Sequence, residues 1–182
     1  MPRRWTRIPA LIVAATIVSG VPQALSAQRA DDGDASPQRV RFEEPGMGFA
    51  FAEGMARSAT FRALVKAIDE SDGVVYIRRG TCGHGVRACL AMSVTKVGPN
   101  RMLRLVIDET TRGDNVLVAL GHELHHATEV LHEPAITTGF SMFHFYKSFG
   151  SWSGDAFETA GAVHAGEAIQ RELAVSRRAH RP

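Results

Sequence analysis

Four of the chain's eight histidines and two of its glutamates fall within twelve residues, "GHELHHATEVLH", from Gly121 to His132. His122, Glu123, Leu124, His125 and His126 spell H-E-x-x-H. On an α-helix, residues four apart differ by about 40° around the axis, so His122 and His126 stand on one face a turn apart. Two imidazoles placed this way can share one tetrahedral Zn²⁺. Glu123, beside them, can take the proton of a water that the metal activates. A shuffled chain of this composition produces such a motif roughly once in fifty times, so chance is a poor account of it. The plainer reading is a histidine-rich, solvated helix face. His125 points about 60° away from His122 and is read as facing solvent or a neighbouring segment, not as a ligand.

A zinc site of this kind needs a third protein ligand, and the sequence offers two. His132 follows His126 by six residues, the spacing of the metzincin pattern H-E-x-x-H-x-x-G-x-x-H. That pattern uses Gly to let the chain leave the helix, and Glu129 stands in its place. If the helix continues to Glu133, His132 lies about 120° from the face of His126 and cannot reach the metal. The other candidate, and the preferred one, is Glu158 in "GDAFETAGAVHAGE". It stands near the start of an expected helix whose small residues Ala156, Ala160, Gly161 and Ala162 would let it pack close to the metal helix. Its plainer reading is a first-turn glutamate favoured by the helix dipole. Glu167 and His164 fall about 180° and 120° around that helix from Glu158 and fit less well. Glu129 lies almost on the His122 face, where it is better placed to orient a ligand than to bind metal. His144 and Tyr146 are candidate donors to a developing oxyanion, against the plainer reading of core aromatics.

These side chains need elements to hold them. "VLVALGHELHHATEVLHE" has helical spacing until Pro134 stops it. Before it, "VVYIR" (Val74 to Arg78), "CLAMSVTKV" (Cys89 to Val97) and "RMLRLVID" (Arg101 to Asp108) read as strands, and "GPN" between the last two predicts an antiparallel hairpin. Earlier still, "MARSATFRALVKAIDESDG" reads as one helix closed by Ser71-Asp72-Gly73. After Pro134, "AITTGFSMFHFYKSFG" is helical in its second half. "SWSGDAFETAGAVHAGEAIQREL" reads as a last helix capped by Ser153 or Asp155, with Glu158 in or near its first turn.

Arg3, Arg4 and Arg7 precede a short apolar run, Ile8 to Gly20, and "ALSA" offers small residues for cleavage after Ala27. Residues 1–27 are therefore expected to be a secretory signal peptide, sending the chain to the periplasm or out of the cell. The run is shorter than the ~20 residues a membrane span needs; an uncleaved anchor is the alternative. Without this segment the chain has 155 residues and 18 Lys+Arg against 19 Asp+Glu. That near-neutral balance, with no basic patch, argues against nucleic acid as a partner, and no membrane contact is expected after cleavage. The length suits one domain: residues 28–46 as a flexible lead-in, 47–176 as the domain and 177–182 as a basic tail. The only cysteines, Cys82 and Cys89, suggest a disulfide in an exported chain. A metal pair with His84 between them is the alternative.

"LGHELHHATEV" (Leu120 to Val130) and, more loosely, "FETAGAVHAGEAIQREL" (Phe157 to Leu173) resemble the zincin metallopeptidases, specifically small exported bacterial proteins of gluzincin type. The resemblance extends to the order of helix, β-hairpin, metal helix and carboxylate helix. It implies an α+β, zincin-like fold: a small antiparallel or mixed sheet packed on the metal helix and on a C-terminal helix bearing the carboxylate. The edge strand of that sheet can pair with an extended peptide. Carried over, His122, His126 and Glu158 are ligands of one Zn²⁺ per chain and Glu123 is the general base. The expected function is an exported zinc-dependent hydrolase, a metallopeptidase acting on a peptide or protein substrate. The alternative is a zincin-like domain that binds metal or a partner without turnover. Oligomeric state is not legible.

Overall fold

A computed structural model of the chain describes residues 39–83, 85–153 and 156–179. The expected signal peptide and His84 lie outside them. The elements run β1 (Val40–Phe42), α1 (Pro45–Arg57), α2 (Ala59–Asp69), β2 (Gly73–Gly80), β3 (Ala88–Leu90), β4 (Thr95–Val97) and β5 (Asn100–Asp108). They continue with α3 (Asp114–His132), α4 (Gly139–Phe149), β6 (Ser151–Ser153), β7 (Ala156–Glu158) and α5 (Ala160–Ala179). The protein is α+β, as expected.

The main sheet is mixed. β1, β2 and β5 are parallel, in that order, and β3 and β4 both pair antiparallel with β5 on its far side. β4 and β5 form the expected hairpin around Gly98, whose φ of 58° favours glycine. β3 covers the other half of β5. "CLAMSVTKV", expected as one strand, is therefore two, and the Met92–Ser93 backbone between them abuts the start of α4. A Cβ on Gly139 would lie 2.5 Å from the Met92 carbonyl oxygen, so only glycine permits this approach. The sheet's apolar residues, among them Val75, Ile77, Leu103, Leu105 and Ile107, form one core with Phe61, Ile68, Leu117, Leu120, Leu124 and Ile169 from the helices.

Four further local expectations are corrected. β1 lies inside the stretch 28–46 that was read as lead-in, because pairing with β2 gives Val40 a buried place. The single helix expected before β2 is two. Ser58 is extended (φ −133°, ψ 121°), its N–H closes α1 on the Gly54 carbonyl, and its Oγ caps α2 by accepting the Phe61 N–H. Glu172 of α5 reinforces the break, accepting hydrogen bonds from Ser58 Oγ and from Thr60 N–H and Oγ1. The stretch expected to begin the last helix is instead a two-stranded hairpin, β6–β7, and α5 starts only at Ala160. At the other end α5 runs on to Ala179, through residues read as tail, where the Arg177 guanidinium meets the Asp114 carboxylate.

One side chain ties the sheet to α3. Arg101, 3% exposed, donates to the carbonyls of Val130 and Leu131 in the last turn of α3, to those of Glu133 and Ile136 just beyond it, and to the Asp72 carboxylate at 2.7–3.0 Å. Carbonyls at a helix C-terminus have no partner within the helix; here a strand residue supplies one.

Candidate metal centre

α3 continues without interruption past Glu129 to His132, and Glu133 ends it in an extended conformation just before Pro134. His132 is exposed, and the helix offers no swing that would bring it round to His126. The leading pair emerges as the spacing requires: the His122 and His126 rings stand 5.0 Å apart, centre to centre.

Glu158 meets them from the end of β7, not from a helix. Its Oε1 lies 3.3 Å from His122 Nε2 and 3.5 Å from His126 Nε2. Zinc bonds of about 2.0–2.1 Å at tetrahedral angles would separate donor atoms by about 3.4 Å, so the two spacings fit. His122, His126 and Glu158 form a group that could hold a metal ion, and among the described residues it is the only such group.

The approach of β7 depends on residues around it. Thr159 Oγ1 accepts the Ala162 N–H, capping α5, and donates to Glu129 Oε1 at 2.7 Å. Glu129 in turn accepts from His126 Nδ1 at 2.9 Å through its other oxygen. That bond orients the His126 ring with Nε2 toward Glu158, the nitrogen that a metal ion would take once its proton has left. The small residues noted in the sequence work as spacers between α3 and α5. A Cβ on Gly161 would lie 2.4 Å from the His125 ring, and one on Gly121 would lie 2.0 Å from Ile169. His125 is thus wedged against α5, away from the group. Its Nδ1 sits 3.3 Å from Glu129 Oε1 but out of line for a hydrogen bond, so that buried nitrogen has no partner among the described residues.

Glu123 is 8% exposed, and its Oε2 accepts the Leu90 N–H of β3 at 2.8 Å. Burial pushes its carboxyl up, against the pull of His126 and the Leu90 N–H, to about 7. Burial pulls His126 the other way, but its hydrogen bonds to Glu129 and Glu158 outweigh that and lift it to about 9. His122 is lowered, mainly by burial and partly restored by the charge of Glu158. For Glu129, burial is overcome by hydrogen bonds from its neighbours, and it is held well below the carboxylate range. Glu158 is lowered in the same way, by His126 and His122 against burial.

No protein-family model, curated protein or solved structure matches the chain.

The group opens into a cleft of ≈ 780 Å³. One wall is β3 with the loop before it, closed by a disulfide between Cys82 and Cys89. Met142, Tyr146 and Phe157 also line it, with Tyr146 and Phe157 stacked at 5.9 Å. Tyr146 is 2% exposed and donates its hydroxyl to the His126 carbonyl at 3.0 Å. His144 is exposed, with its ring 4.3 Å from that of Phe140. Glu167 is exposed and pairs with Arg171. The Leu90 N–H and the Thr159 hydroxyl were not anticipated. A backbone donor leaves no trace in residue types. Thr159, by contrast, is an N-cap type three residues before Ala162 in a helical pattern, and that signal was readable.

Proposed function

We propose that the chain is an exported zinc-dependent hydrolase of zincin-like fold, a metallopeptidase in which His122, His126 and Glu158 hold one zinc ion. The observation that carries this reading is the convergence of those three donors within 4.8 Å of one another, with Glu158 3.3 and 3.5 Å from the two imidazole nitrogens, beside a buried Glu123 in an open cleft. A zinc ion held there supplies Lewis acidity that brings the pKa of a water near neutrality. Glu123, lifted to about 7, is matched to taking a proton from the attacking water and returning it to the leaving amine. Substrate shape is suggested by β3. Asp108 N–H bonds the Arg87 carbonyl, and Ala91 N–H bonds the Arg104 carbonyl. Ala88 and Leu90 therefore turn their backbone groups away from β5; Glu123 takes the Leu90 N–H, while the Leu90 carbonyl and both backbone groups of Ala88 face the free edge. An extended peptide laid along that edge gains main-chain hydrogen bonds in the cleft.

The test is direct. Purified protein should contain about one equivalent of zinc and cleave a quenched peptide library. Glu123→Gln should keep the metal and lose at least about 10²-fold in rate. Protein that takes up no zinc, or a Glu123→Gln variant as active as the parent, would sink the proposal. One observation favours the second reading, a metal-binding domain without turnover. The Tyr146 hydroxyl is spent on the His126 carbonyl and the His144 ring is exposed against Phe140, so neither expected oxyanion donor is free at the metal group. Stoichiometric zinc with no cleavage of any library member would select that reading.

A further inference from the structure

We infer that Arg87 is a specificity-determining residue of the cleft, selecting peptides with a carboxylate about three residues from the cleaved bond on its C-terminal side. This rests on the metallopeptidase reading. Among the described residues lining the cleft, Arg87 is the only lysine or arginine. It is exposed, and its guanidinium has no ion pair or hydrogen bond to any described residue. Its neighbours differ in this respect: Arg79 and Arg112 both donate to the Thr111 carbonyl.

The mounting of Arg87 is firm although its side chain has no partner among the described residues. Its carbonyl accepts the Asp108 N–H at 2.9 Å and the Thr111 hydroxyl at 3.0 Å, and Cys89, two residues on, is tied by the disulfide to Cys82. The other charged groups lining the cleft, Glu123, His126 and Glu158, converge at the candidate metal group, which leaves Arg87 as the one described cationic side chain of the lining outside that group. Leu90, whose N–H contacts Glu123, lies three residues from Arg87. At about 3.4 Å per residue that is about 10 Å, and an extended peptide covers the distance in the same three residues. A peptide antiparallel to β3 places the residues on the C-terminal side of the cleaved bond toward Arg87. The planar guanidinium suits a carboxylate held through two hydrogen bonds. An Asp or Glu side chain and a free chain terminus present that same group.

The experiment uses the full, zinc-loaded chain, with Arg87→Gln and Arg87→Glu. The probes are quenched Ala/Leu octapeptides carrying Glu, Gln or Lys at each position in turn, and a set with free-acid or amidated C-termini. Both variants keep the fold, because the Arg87 backbone and not its side chain holds Asp108 and Thr111. The parent should favour Glu over Gln about five-fold in kcat/KM at two or three residues past the cleaved bond, as expected for an exposed ion pair. That ratio should fall to about one in Arg87→Gln and turn in favour of Lys in Arg87→Glu. Free acid against amide at the same distance shows whether the terminus serves as well as a side chain. A parent ratio of one, or a preference that survives both substitutions, overturns the inference. If nothing is cleaved, the metallopeptidase reading has failed separately. Peptide affinity for zinc-loaded Glu123→Gln, with and without Arg87→Glu, then decides whether Arg87 selects carboxylates: loss of the Glu preference supports it and persistence overturns it.

Discussion

Glu129 supplies no atom to the candidate metal group, yet it binds both a histidine of that group and the threonine that follows Glu158. Replacing it with Ala should lower zinc affinity about 10–100-fold, the usual cost of removing the partner of a ligating imidazole. His132→Ala should leave affinity unchanged. Competition against a chromogenic chelator measures both, and equal losses would mean that Glu129 is not a positioning residue. Binding should also depend on pH. Below about pH 9 the His126 ring holds a proton before an ion binds, and that proton must leave for Nε2 to coordinate. Affinity should therefore fall roughly ten-fold per unit as pH drops from 8 to 6. Calorimetry in two buffers of different ionisation enthalpy should count about one proton released; a pH-independent affinity would contradict the sign. His122 and His126 were legible because a helix converts spacing into direction. Glu158 was legible as a residue type near small residues, but its place on a strand end was not.

Among the elements, α3 and the β4–β5 hairpin were readable because each contains its own signal: long apolar periodicity in one, a glycine turn in the other. The break at Ser58 was not, since its second partner, Glu172, lies 114 residues away. The β6–β7 hairpin was masked by good capping residues, Ser153 and Asp155, and strands of three residues are too short to show a period. Arg101 is the element-scale feature with the largest expected effect. Arg101→Met would remove the donor shared by four carbonyls at and just beyond the end of α3, leaving Val130 and Glu133 with one backbone donor each, and would unpair Asp72. Removing one side of a buried, hydrogen-bonded charge typically costs about 3–5 kcal/mol. Asp72 is partly exposed, so the lower figure applies, and the melting temperature should fall by about 10 °C. A fall of only one or two degrees would show that water replaces the guanidinium cheaply.

At the scale of the whole molecule, the parallel pairing of β2 with β5 and the joining of α3 to β7 are long-range facts that no local pattern announces. The second has a consequence for the life of the chain outside the folding vessel. Glu158 comes 32 residues after His126, and α4 and the β6–β7 hairpin lie between them. Sharing one ion between those two residues closes that excursion as a cross-link would, removing the entropy of an open loop. Before the ion binds, the excursion is held by the buried side chains of Ile136, Met142 and Tyr146. The hydrogen bonds of Tyr146 to His126 and of Arg101 to Ile136, and the carboxylates of Glu129 and Glu158, hold it as well. Chelator-treated protein should accordingly be cut first between residues 133 and 159 by a nonspecific protease, while α3 and the sheet persist. Zinc should suppress those cuts in proportion to its occupancy. Identical fragment patterns with and without zinc would contradict this. In a compartment where proteases patrol, the abundance of the protein would then track the supply of its metal.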